Sequence, residues 1–262
     1  MRVEDLRSLS QIGQALWGDP ELSHRRTAET LQAVGFLPLA DEKILERAST
    51  ALLARATSER GGVLSAALAN PFFRLLPEER FLLAALHAER WSYRRLARVL
   101  ESGEEEVACR AWKLRVHLAS QYRGTERPLA SLGAAGAVPT RPSCPEFDPT
   151  NPWTQRFLDE EIPSRERLFL QNHLMACGEC RGALARCRDL YYSVEGMIPK
   201  ALAGEGDSAR IQALQEAFFQ VRRRVSPSEV TWRGAIRSYL GRTEAQLLLA
   251  GLLTWLAIRI FT

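Results

Sequence analysis

The chain has 262 residues, 46% of them apolar and 25% charged, which excludes a wholly disordered polypeptide and allows two or more folded domains. A formal net charge of +4 and a pI near 8.9 permit nucleic-acid contact without demanding it. Five cysteines, an odd number, argue against a disulfide framework and favour a reducing compartment with a metal.

The opening Met1-Arg2-Val3-Glu4-Asp5 lacks an apolar run, so no secretory signal peptide is expected. From Val3 to Trp17 the residues Val3, Leu6, Leu9, Ile12 and Leu16 recur at helical spacing, and Gly18-Asp19-Pro20 ends the pattern. A second helical pattern runs from about Glu21 to Val34. A third runs from Asp41 to Ser58, with Ile44, Leu45, Ala48, Leu52 and Leu53 on one side, before the Gly61-Gly62 break. Residues 1–60 therefore read as a helical platform or dimerisation element without chemistry of its own.

Residues 62–122 read as a helix-turn-helix unit. Pro77 sits at an early turn of a helix carrying Leu82, Leu83 and Leu86, and a break follows around Trp91. Ser92 caps a helix with Tyr93, Leu96, Ala97 and Leu100. Glu101-Ser102-Gly103 then turns into a helix whose apolar stripe is Val107, Ala111, Leu114 and Leu118. The stretch from Leu76-Pro77-Glu78-Glu79-Arg80 through Trp91-Ser92-Tyr93-Arg94-Arg95-Leu96 to Val107-Ala108-Cys109-Arg110 resembles region 4 of bacterial sigma factors. That resemblance implies a last helix that enters the major groove of promoter DNA. Arg110, Lys113 and His117 then face the bases, and Arg94, Arg95 and Arg98 hold phosphates. Glu104, Glu105 and Glu106 at the start of the same helix repel phosphates while stabilising the helix end. Two uses stay open: weak DNA binding, or a fold kept for protein contact. Nothing resembles the sigma region that melts DNA, so a complete sigma factor is not expected.

Residues 123–143, rich in Gly, Ala and Pro, read as a flexible linker that leaves the helix-turn-helix free to move relative to the next module. That module, residues 144–198, holds the chemistry. His173, Cys177 and Cys180 form H-x-x-x-C-x-x-C. One helical turn brings His173 and Cys177 to the same side, and Gly178 lets the backbone turn so that Cys180 joins them. Structural zinc takes four ligands, and Cys144 is the upstream candidate for the fourth. Cys187, two turns past Cys180, reads as a small buried residue that can exchange with Cys144. C-x-x-C as a redox pair is the alternative use. Ahead of the motif, Asn151 to Asp159 reads as a helix, Pro163 as a break, and Ser164 with Glu166 as the start of the next helix.

The span from Cys144 to about Leu190 resembles the zinc-binding domain of bacterial anti-sigma factors. The likeness rests on the upstream Cys144, on Leu158-Asp159-Glu160-Glu161-Ile162-Pro163, and on His173 through Cys180. It implies a small helical module that clamps a sigma factor and keeps it from RNA polymerase. Residues 199–244 read as a charged juxtamembrane spacer, partly helical, whose stripe of Ile211, Leu214, Ala217, Phe218 and Val221 is most simply core or coiled-coil surface. Residues 245–262 read as an apolar helix of about 27 Å, long enough to cross a bilayer, with a soluble packing helix as the alternative. Arg224, Arg233, Arg237 and Arg242 before it place the upstream chain on the cytoplasmic face of the inner membrane, single-pass. If the tail packs instead, the protein is cytoplasmic.

The fold expected is all-α and multi-domain: a helix-turn-helix module, a small zinc-binding helical module and a C-terminal apolar helix. The function expected is a transcription regulator that holds structural zinc and restrains a sigma factor. The alternative is a DNA-binding regulator with the zinc module as sensor or dimer interface. Neither an enzyme nor a small-molecule substrate is expected, since no phosphate-binding glycine loop, nucleophile elbow or H-E-x-x-H is present. His24 and His87 sit on ordinary helical faces.

Overall fold

A computed structural model describes residues 1–35, 41–59, 69–121, 153–199 and 205–224, and every regular element among them is helical. Near the amino terminus, α1 (Val3–Trp17), α2 (Pro20–Gly35) and α3 (Asp41–Ser58) fall where the periodicity puts them. Gly18 ends α1 in the left-handed region at φ 75° and donates to Gln14 O, the conformation that makes glycine the favoured residue there. Gly13 lets α1 approach α2, because a Cβ there would meet Thr27 Oγ1 at 2.7 Å.

The middle of the chain forms α4 (Pro77–His87), α5 (Tyr93–Val99) and α6 (Glu104–Gln121). Pro77 opens α4, and Ser92 caps α5 by accepting from the N–H of Arg95 at 3.2 Å, both as expected. The α5–α6 turn differs in detail: Glu101, not Gly103, takes the left-handed conformation, at φ 52°. Further along come α7 (Trp153–Leu158), α8 (Ser164–Ala176) and α9 (Gly178–Glu195). Ser164 is the first residue of α8 instead of its cap, and Pro163 holds that position without a side-chain bond.

Segments that read separately in the sequence share one core. Ile12 and Trp17 of α1, Leu52 of α3, Phe81 of α4, Leu96 of α5 and Leu114 of α6 belong to a single buried cluster, together with Val194 of α9. The stretch read as a charged spacer contains α10 (Glu205–Arg224), whose Ile211, Leu214 and Phe218 enter that same cluster and which packs on α1 and α2. Its apolar stripe therefore serves as core of the amino-terminal bundle.

A second, smaller cluster holds Trp153 of α7, Leu170 of α8 and Cys180 of α9, with Phe157, Ile162, Leu174 and Leu184 packed around it. This module packs against the rest of the described chain. Helix α9 packs along α6, and a buried ion pair between Arg115 and Asp159 joins the module to α6. That pair does not act alone: Val194 of α9, with Met197 and Ile198 just past its end, is buried in the main core, and Asn70 donates to Met197 O at 2.7 Å. The flexible linker expected over residues 123–143 lies outside the described residues. No helix among the described residues is long and apolar enough to cross a membrane, and the apolar tail 245–262 lies outside them.

Candidate metal centre

The site is built where α8 hands over to α9. Helix α8 ends at Ala176, and Cys177 leaves helical geometry (φ −95°, ψ 109°) to serve as the last cap of α8 and the first cap of α9. Its N–H donates to His173 O at 2.8 Å, which fixes the histidine one turn upstream. Gly178 does not supply the bend: it is the first residue of α9, and the extended backbone of Cys177 makes the turn. Arg181 closes the corner by donating from Nη1 to Leu174 O at 2.9 Å and Met175 O at 2.8 Å, satisfying carbonyls left open at the end of α8.

The three donor atoms of His173, Cys177 and Cys180 all lie within 4.8 Å of one another, and His173 Nε2 stands 3.3 Å from Cys180 Sγ. Donors on a tetrahedral zinc are separated by about 3.5–3.8 Å, given Zn–S of about 2.3 Å and Zn–N of about 2.0 Å. Cys180 is fully buried, while His173 and Cys177 are half-buried, so the ion would sit at the edge of the small core. The Cys177 thiol is held down at about 7, chiefly by the backbone N–H of Cys180. Burial opposes this, and the side chains of Cys180 and His173 and the N–H of Glu179 add to it. The amides at the start of α9 thus prepare a thiolate, the form that binds metal. Two sulfurs and an imidazole at these separations are compatible with a structural zinc.

The other predicted residues divide. Cys144 lies outside the described residues. Cys187 is not in the ligand group. It is buried on α9, bonded to Thr154, and burial pushes its thiol up to about 11. Arg94, Lys113 and His117 lie on α5 and α6, where Lys113 and His117 are exposed, Arg110 is half-buried, and His117 Nε2 contacts Gln121 Nε2 at 2.7 Å. Two arginines assigned to phosphates already have neighbours: Arg95 stacks on Trp91 at 3.9 Å and lies 3.8 Å from Glu46, and Arg98 pairs with the same Glu46.

Residue patterning missed a polar network between the same module and α4–α6. Arg115 and Asp159 are each 1% exposed and meet through two bonds, at 2.8 and 2.6 Å. Arg115 Nε also donates to His87 Nε2 at 2.9 Å, and the guanidinium lies 5.0 Å from the Tyr191 ring centre. Tyr93 donates its hydroxyl to Asp159 Oδ2 at 2.5 Å, and Gln155 donates to the Tyr93 hydroxyl and to Ala108 O, both at 2.8 Å. Glu161 accepts the N–H of Tyr93 at 3.0 Å. Burial alone lowers the Arg115 guanidinium's hold on its proton, but Asp159 more than reverses this, so it stays charged. His87 is therefore more than a histidine on an ordinary helical face: it is 2% exposed and serves as an acceptor inside the network. One sequence signal was available, since Arg115 lies four residues after Ala111 and three before Leu118, in register with the buried face.

No curated protein and no solved structure matches the chain. A family described as "Putative zinc-finger" matches residues 155–181, a segment that runs from Gln155 in α7 through all three ligands and leaves Cys144 outside it.

Proposed function

We propose that the protein is a zinc-holding transcription regulator of the anti-sigma kind, which binds and restrains a sigma factor and performs no catalysis. The observation that carries this is the convergence of His173, Cys177 and Cys180 inside the matched zinc-finger segment, a family typical of anti-sigma factors. Zinc, once bound, is a structural clamp on the α8–α9 corner, and the side chains do the rest: they order the corner and present helix faces. Helix α8 supports a protein partner, because Leu168, Phe169 and Met175 are 60%, 59% and 81% exposed on a helix that buries only Leu170. The apolar tail 245–262 would tether this regulator to the cytoplasmic face of the membrane.

The test is affinity purification of the full chain from its own cells, followed by reconstitution with the purified sigma factor recovered. A sigma factor that binds the wild type, and binds Phe169→Asp at least ten-fold more weakly with zinc retained, is the expected result. Recovery of no sigma factor, together with salt-dependent binding of promoter DNA by the full chain, would replace this reading with the DNA-binding one.

A further inference from the structure

The elements that carry the metal ligands are the same elements that dock onto α4–α6. Helix α9 bears Cys180 at its start and Tyr191, under the Arg115 guanidinium, near its end. Helix α7 packs Trp153 against Cys180 in the small core. It sends Gln155, and just past its end Asp159, into the network with Tyr93 and Arg115. That small core contains three buried side chains, so it has little apolar area of its own with which to hold α7, α8 and α9 in one arrangement. The docked surface supplies what it lacks. Arg115 cannot lose Asp159 without leaving a buried, unpaired charge, which ties the end of α7 to α6.

We propose that docking onto α4–α6 is part of what makes the zinc site, with Arg115 and Asp159 as positioning residues that raise the affinity of His173, Cys177 and Cys180 for the ion. The proposal rests on the zinc-holding function proposed for this chain. Coupling between two sites is reciprocal and commonly changes affinity by about 5- to 150-fold. Interactions outside the ligand shell that orient ligands act in the same range, about 10- to 100-fold.

The experiment is zinc competition against a colorimetric chelator, on the full chain under reducing conditions. Asp159→Asn removes the charge while nearly keeping the shape, and it should bind zinc about ten-fold or more weakly than wild type. Tyr93→Phe removes one bond to Asp159 and should weaken zinc by a few-fold even if the stronger variant fails to fold. Phe218→Ala, in the α10 core and outside the network, lowers stability in general and should leave zinc affinity unchanged. Wild-type affinity in folded Asp159→Asn and in Tyr93→Phe overturns the proposal, as does an equal loss in all three variants. A wild-type protein that takes up no zinc overturns the zinc-holding function as well, which separates the two failures.

Discussion

At the scale of single residues, burial decides roles that spacing leaves open. His173, Cys177 and Cys180 were legible because ligand chemistry requires particular residue types at particular distances along a helix. His87 was not, because one buried histidine on a leucine-rich helix has no pattern; its partner Arg115 is 28 residues away in sequence. Burial, then Arg115 and Arg90, hold the His87 imidazole well below its ordinary value of 6.5. The unfolded chain takes up a proton there as the pH falls below about 6.5, and the folded chain does not. Stability from this group is thus complete above that pH and declines below it, by at most about 1.4 kcal/mol per pH unit. Thermal midpoints measured between about pH 7.5 and 5 should fall more steeply for wild type than for His87→Gln, whose amide oxygen can still accept from Arg115. Equal slopes would remove His87 from the network's acid sensitivity.

At the scale of elements, periodicity located the helices and said little about what they pack on. The bounds of α1 and α3 follow from stripes of Leu and Ile, and the end of α1 follows from Gly18. The corner between α8 and α9 was legible in place but not in mechanism, because an extended cysteine makes the bend that glycine chemistry suggested for Gly178. Helix α10 shows the limit most plainly: a stripe of Ile211, Leu214 and Phe218 reads as core or as coiled-coil surface, and spacing alone does not separate the two. Its contact with Gly35 of α2, where a Cβ would come within 3.3 Å of Val221 Cγ1, settles the choice for core. Phe218→Ala should therefore cost about 3–5 kcal/mol in chemical denaturation. A loss under about 1 kcal/mol would return α10 to the role of a spacer.

At the scale of the whole molecule, the helical character of the described residues was legible, and so was the grouping of His173, Cys177 and Cys180. The attachment of their module to the remainder was not, because the contacts that make it, among them Arg115 with Asp159 and Val194 in the main core, join residues far apart in sequence that no spacing rule pairs. The proposed function needs one thing before any partner matters: an ion that holds α8 and α9 at the Cys177 corner. Metal content by mass spectrometry, on the full chain purified under reducing conditions beside Cys177→Ser, measures that directly. One zinc per chain in the wild type and its loss in the variant is the predicted result. A folded wild type with essentially no zinc, or a variant that keeps its full complement, would contradict the account.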